Sequence, residues 1–312
     1  MNLSVVIPAY NEEANIMYTI DGLLKAISSI ENIQIIVVDD HSTDDTFEII
    51  DKLNDTRISC LRLSRQCGSH TAFRAGLIEA VGDVALFFSA DGQDDPNCVD
   101  VMLEKWRDGS KIVWALRKNR ENETIAYGNI AELFYRCLRW LGGFKNSLTD
   151  MPRADFFLLD RIAINALNKC KERNTSLLGL IDWLGFEQAS VEYERKSRRF
   201  GTSNWNFRSR FRLARDWIVA FSNIPLRLSA IIGTFIAFLG FLFAVHLIYN
   251  AFFGNPIQGY SSILVVILVL GGIQMIMIGV IGEYLSRSLD ESRRRPIFFI
   301  EKKTSNKDQT LH

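Results

Sequence analysis

Two runs in the last third of the chain, 228–249 and 261–281, constrain it more than anything else. The first holds no acid, lysine or arginine and only His246 as an ionisable candidate; the second holds no ionisable side chain at all. At about 1.5 Å of rise per residue, a helix of either length covers roughly 30 Å, the hydrocarbon thickness of a bilayer. Arg208, Arg210, Arg212, Arg215 and Arg227 precede the first run, and Arg287, Arg293, Arg294 and Arg295 follow the second. The stretch between them, NAFFGNPIQGY, carries no basic residue. Basic flanks stay on the cytoplasmic side, so this asymmetry predicts a two-helix transmembrane hairpin with both termini inside. Just before it, in 205–225, Phe207, Phe211, Ala214, Ile218 and Phe221 recur at helical spacing with arginines opposite. That pattern predicts an amphipathic juxtamembrane helix lying on the anionic inner leaflet.

The first two thirds have the character of a soluble domain. Lysine plus arginine equals aspartate plus glutamate, 36 against 36, so overall charge selects no partner. Cys60, Cys67, Cys98, Cys137 and Cys170 are scattered, with no Cys-x-x-Cys pair, which argues against a disulfide framework or zinc site and fits a reducing compartment. The opening MNLSVVIPAYNEE has no basic region before its short apolar run and does not resemble a signal peptide. Short β-branched or aromatic runs stand at 3–7, 33–38, 58–63, 84–88 and 111–116, with amphipathic stretches at 12–29, 44–54 and 69–81. Alternation of nearly continuous apolar strands with helices predicts an α/β domain around a mostly parallel sheet. Ligands of such sheets bind beyond the carboxyl ends of the strands. Three polar clusters fall there: PAYNEE, DDHSTDDT and SADGQDDP.

No glycine-rich phosphate loop follows the first strand, which removes the dinucleotide and P-loop readings. Acids at three strand ends suggest a sugar nucleotide instead. Carboxylates accept from a base N–H and from ribose hydroxyls, while a divalent ion neutralises the diphosphate. In DDHSTDDT, Ser42 or Thr43 is expected to cap a helix with Asp44 and Asp45 favouring its dipole, while Asp39 and Asp40 face the ligand. His41 and His70 are read as polar loop residues, Trp106, Trp114 and Trp140 as core, and the tail KKTSNKDQTLH as disordered.

These motifs, in this order, resemble family-2 inverting glycosyltransferases of the GT-A fold, a Rossmann-like architecture. More narrowly the chain is similar to the polyprenyl-phosphate glycosyltransferases, such as dolichol-phosphate mannose synthase and the bactoprenol glucosyltransferases. VIPAYNE, VVDDHSTDDT and ADGQDDP carry the general resemblance; LRKNR, DFFLLDR, RKSRRFGTSNW, FSNIPLR and GEYLSRSLDESRRRP carry the narrower one. The resemblance implies that Pro8, Tyr10, Glu12, Asp39 and Asp40 hold the nucleotide. It implies that Asp91 and Gln93 bind Mg2+ or Mn2+, and that Arg117, Arg120, Arg195, Arg198 and Ser203 meet the acceptor phosphate. It puts Asp155 at the reaction centre as the acidic catalytic residue.

The chain departs from the family pattern at three places. Ser89 and Gly92 stand where the metal motif usually has aspartate and leucine, Phe157 stands where arginine is common, and TDMPRAD is altered, so that Asp150 competes with Asp155 as the counterpart. Magnesium needs only one or two protein carboxylates beside substrate phosphates, so Asp91 and Gln93 suffice, with Ser89 holding a metal-bound water or Asp94 swinging in. The acceptor phosphate, with a second pKa of about 6, is mostly dianionic at neutral pH and needs no strong base.

The expected organisation is a GT-A domain at 1–204, an amphipathic segment at 205–227, two spans within 228–285 and a cytoplasmic tail at 286–312. Its expected place is the bacterial inner membrane, its partners a nucleotide sugar, polyprenyl phosphate and the bilayer, with no nucleic acid. A homo-oligomer and a flippase partner are compatible with that reading. Two alternatives stand beside it. A processive polysaccharide synthase lacks room for a polymer channel in two spans, and its Q-x-x-R-W motif is missing because Arg136 holds the glutamine position. A membrane scaffold with a retired site is the other.

Overall fold

The computed structural model describes residues 1–118, 154–172, 175–195, 224–253 and 259–304. Arg120, Asp150, Arg198, Ser203, Arg136, Trp140, most of the amphipathic segment and positions 254–258 between the apolar runs lie outside the described residues. The expected strands form as β1 (Asn2–Ala9), β2 (Asn32–Asp39), β3 (Ile58–Leu63), β4 (Val84–Phe87) and β5 (Ile112–Arg117). The first three crossovers hold α1 (Ile16–Ala26), α2 (Thr46–Asp51) and α3 (Ser69–Glu79), followed by α4 (Cys98–Arg107). β1 pairs in parallel with β2 on one side and β4 on the other, and β2 with β3. The apolar continuity of β1 is what this centre requires, since every residue after Asn2 is buried. α3 lies close against the sheet because position 76 is glycine: a Cβ there would come within 2.3 Å of Val6 Cγ1.

The sheet is mixed in a way the apolar runs do not announce. β6 (Ala154–Asp160) inserts antiparallel between β4 and β5, and β7 (Gln188–Tyr193) adds parallel to β5. β8 (Ile300–Lys303) closes the opposite edge antiparallel to β3, giving the order β7-β5-β6-β4-β1-β2-β3-β8. The disordered tail expected from 302 onward is therefore corrected at its start, where Lys302, Lys303 and Thr304 belong to the sheet edge.

Period-two alternation in β4 and β6 sorts the aromatic core into two layers. Phe87 and Phe157 stack at 5.1 Å and meet Phe73 of α3 and Trp114 of β5, whereas Phe88, Phe156 and Tyr193 pack together on the other face. Trp114 is core, as expected, with its Nε1 donating to Gln188 Oε1 at 2.7 Å. Asp160 ends β6 and starts α5 (Arg161–Lys169), followed by α6 (Leu177–Trp183). One of its oxygens accepts from Ile162 N as an N-cap and the other from Trp106 Nε1.

The apolar runs lie within α7 (Ile224–Phe253) and α8 (Tyr260–Ser292), both longer than expected. Among the described residues one segment, Val269–Ser292, is long and apolar enough to cross a membrane, and none of it is buried; α7 contains the shorter apolar stretch Leu228–Phe243. The two helices meet where Gly233 admits Met277, whose Cε would lie 3.1 Å from a Cβ at that glycine.

Candidate active site

The topological switch point lies at β1, which has sequence-adjacent β2 on one side and β4, reached by a reversed crossover, on the other. Such a switch point opens at the carboxyl ends of the strands. Pro8 sits there without disturbing the sheet, because pairing of β1 with β4 ends at Val6 and Phe87. A missing N–H matters little once the neighbouring strand has left. β6 runs the other way, so its first residues reach this same edge, with Ala154 opposite Leu116. The backbone of Asp155 thus joins an edge that also carries Arg117, Asp91 and Arg195.

On the β1–β2 side, short loops interlock. Asn11 adopts a left-handed φ of 54°, and its N–H donates to Ser42 Oγ at 3.0 Å while its Oδ1 accepts from Thr43 N at 2.8 Å. Glu12 is buried, its N–H on Thr46 Oγ1 and its Oε2 accepting from Asn15 Nδ2 at 2.6 Å. The start of α2 is tied by Asp44 Oδ1, which accepts from Thr46 N at 3.1 Å; Ser42 and Thr43, expected as caps, serve Asn11 instead. Asp39 and Asp40 are buried and hold protein donors of their own. Asp39 accepts from Ser42 N at 2.9 Å and from Arg62 Nη1 at 2.8 Å, and Asp40 from Cys67 N at 2.6 Å and Gly68 N at 2.7 Å. Burial pushes the Asp40 carboxyl above its ordinary range against the pull of those two amides. Each carboxylate oxygen retains a second lone pair, so these acids both shape the loops and leave acceptor capacity.

On the β4 side the chain turns at Gly92, whose φ of 70° suits glycine. Asp91 Oδ1 accepts from Ser89 Oγ at 2.8 Å and from Gln93 N at 3.1 Å. Arg195, two residues beyond β7, donates from Nη2 to Gln93 Oε1 at 2.8 Å, and the same nitrogen lies 4.0 Å from Asp91 Oδ2. Asp94 turns inward: Ser89 N donates to its Oδ2 at 2.9 Å and the Tyr193 hydroxyl to its Oδ1 at 3.3 Å. It acts as a strut for the turn, which corrects the expectation that it swings toward an ion. Arg117 ends β5 directly opposite Tyr193.

Among the described residues no group of three or more histidine, cysteine, aspartate or glutamate side chains could hold a metal. One carboxylate and one amide oxygen, Asp91 and Gln93, nevertheless suit a hard ion that takes its remaining ligands from phosphates and water. Arg62 and Tyr193 belong to the site although no motif contained them, and Asn11, inside VIPAYNE, was given no role; an arginine inside the run ISCLRL was the available signal for the first.

Residues 4–159 match the family model described as glycosyl transferase family 2. The uncharacterized glycosyltransferase YkcC of Bacillus subtilis is 34% identical over an alignment of 313 residues, spanning 99% of this chain and 96% of that one. This chain belongs to glycosyl transferase family 2. The glycosyltransferase is also similar to the bactoprenol glucosyl transferase of Shigella phage SfV, 35% identical over 306 residues, 96% of this chain and 98% of the relative. Glucosyl-3-phosphoglycerate synthase from Mycobacterium tuberculosis, solved with phosphoglyceric acid, shares the fold at a TM-score of 0.50 and 22% identity, covering 70% of this chain and 78% of that one. The glycosyltransferase therefore has the GT-A fold, with a mixed, mostly parallel sheet.

Proposed function

We propose that this glycosyltransferase moves one sugar from a nucleotide donor to polyprenyl phosphate at the inner leaflet, with inversion at the anomeric carbon. The observation that carries the reading is the contact of Arg195 with Gln93 beside Asp91. It brings a guanidinium suited to one phosphate against the pair of oxygens suited to the ion of another. Transfer between two phosphorylated substrates needs that adjacency. The near full-length similarity to bactoprenol glucosyl transferases supports the lipid acceptor.

In this mechanism Pro8, Tyr10, Glu12, Asp39 and Asp40 border the nucleotide. Asp91 and Gln93 would hold Mg2+ or Mn2+, which supplies positive charge for the departing diphosphate without a proton transfer. Ser89 orients Asp91 through its hydroxyl. Arg195 and Arg117, with Arg120, Arg198 and Ser203, orient the acceptor phosphate; a guanidinium grips phosphate through two parallel hydrogen bonds. That phosphate is already anionic near neutral pH, so Asp155, or Asp150 in its place, orients acceptor or sugar rather than acting as a strong base. Attack from the face opposite the diphosphate inverts the centre in one displacement.

The domain layout follows: catalytic domain 1–204, leaflet-bound segment 205–227, a hairpin of two spans within 228–285, and both termini cytoplasmic. The unburied apolar surface of Val269–Ser292, the apolar stretch of α7 and the flanking arginines support it. The test is a donor screen on the full chain in detergent, with UDP-, GDP- and dTDP-sugars, short polyprenyl phosphate and manganese, read by mass spectrometry. One added sugar per lipid is expected. A ladder of products would favour a processive synthase, and nucleotide-sugar binding without any transfer would favour a scaffold.

A further inference from the structure

The chain leaves α8 through Arg294, at a φ of 47°, and returns to the sheet as β8. Backbone bonds fasten it there: Ser64 N to Phe299 O at 2.9 Å and Thr304 N to Cys60 O at 3.0 Å. The register shifts within this pair. Ile300 lies opposite Leu63 and Lys302 opposite Arg62, which leaves Glu301 as the extra residue of a bulge. Bulges re-aim a side chain, and they concentrate next to active sites. Here Glu301 Oε2 lies 3.4 Å from Arg62 Nε and 3.6 Å from His41 Nδ1. Arg62 spends its other nitrogens on the nucleotide side, with Nη1 donating to Asp39 Oδ2 at 2.8 Å and Nη2 to Ser42 O at 2.9 Å. Ser42 in turn accepts from Asn11 N. A single line of contacts thus runs from the C-terminal strand through the carboxyl ends of β3, β2 and β1.

We propose that Glu301 is a positioning residue for the donor site, fixing Arg62 and through it Asp39 and the loop 39–46. The inference rests on the reading that this loop borders the nucleotide. Nη1 and Nη2 already hold the guanidinium to Asp39 and Ser42, and an acid on the Nε flank adds a third anchor in the same plane, which narrows the geometry the fork presents to both. Glu301 and Arg62 are 42% and 16% exposed at their side chains, and a pair so placed adds little to stability. Its consequence belongs to binding. The segment that follows the membrane-facing helix would then complete the donor pocket, so that docking of the C-terminal strand and donor affinity are coupled.

The test titrates UDP, GDP and dTDP separately into the full-length protein by calorimetry, with wild type, Glu301→Gln, Arg62→Met, the double variant and Tyr10→Ala. Whichever nucleotide binds wild type should bind Glu301→Gln about three- to ten-fold more weakly, in the lower part of the range for coupled neighbouring side chains. The melting temperature should stay unchanged, because β8 keeps its backbone bonds. The double variant should bind no more weakly than Arg62→Met alone, since the proposal routes the effect of Glu301 through Arg62 and not through His41; losses that add would overturn the proposal. Wild-type affinity in Glu301→Gln with a loss in Tyr10→Ala would overturn the role of Glu301 and keep the donor-site reading. Wild-type affinity in both would overturn both.

Discussion

Asp91 is oriented by a hydroxyl where relatives of this kind usually place a second acid. Two carboxylates side by side repel each other and depend on a cation to stay together. The Ser89 hydroxyl instead donates to Asp91 Oδ1, so the turn holds its shape on protein bonds, with Gly92 and Asp94 completing it. The expected consequence is an ion site that is formed in advance and relies more heavily on the substrate's phosphates. Arg195 donates to Gln93 and lies 4.0 Å from Asp91, and its proposed role is directly testable. Arg195→Lys keeps the charge and loses the planar fork. We expect the acceptor KM to rise about ten-fold, on the order of one bidentate contact, with donor affinity preserved. An equal loss of donor affinity would assign Arg195 to the diphosphate instead. These residue positions were legible as a motif, but their partners were not. Asp94 and Asp95 look alike in sequence, and only the arrival of Tyr193 from a distant strand makes Asp94 a strut.

Among the elements, α3 shows how closely the site depends on its support, since it begins just beyond the Asp40 loop and packs across β1 and β2. Gly76→Ala would drive a methyl against Val6 Cγ1 and, at 3.1 Å, Val38 Cγ2. Overpacking of this kind costs about 1–3 kcal/mol. A melting temperature several degrees lower is the expected result; an unchanged one would mean that the helix shifts freely. The second residue of α3, His70, is half-buried, and desolvation pushes its pKa from 6.5 down to about 4. The unfolded chain therefore binds a proton that the folded chain refuses between those values, and stability falls as pH drops through that window. Thermal melts from pH 7 to pH 4 should show a steeper decline for wild type than for His70→Gln. The first five strands were visible as apolar runs because local composition defines a buried parallel strand. β6 was visible only as the motif DFFLLDR, since its antiparallel insertion depends on partners far away in sequence. β8, IEKK, has three charged residues in four, and nothing local distinguishes such an edge strand from a solvated tail.

At the scale of the whole molecule, the apolar helices α7 and α8 fall in sequence between β7 and β8, which form opposite edges of one sheet. The chain enters α7 from the catalytic domain and leaves α8 into β8 on the sheet's far edge. The apolar runs were the easiest feature to read, and the structure lengthens both as helices, α8 through the polar segment GEYLSRSLDES that continues its hydrogen-bond ladder. The sequence did not reveal that the chain beyond them returns to the sheet and pairs with β3. Ion-assisted departure of the diphosphate at Asp91 and Gln93 is the central proposal. Its decisive test is the rate of lipid-linked sugar formation by chelator-stripped protein as Mg2+ or Mn2+ is added back, for wild type and Ser89→Asp. No product is expected without the ion, with saturable recovery on its return and half-recovery at a lower metal concentration in Ser89→Asp. A full rate of transfer in excess EDTA would contradict it.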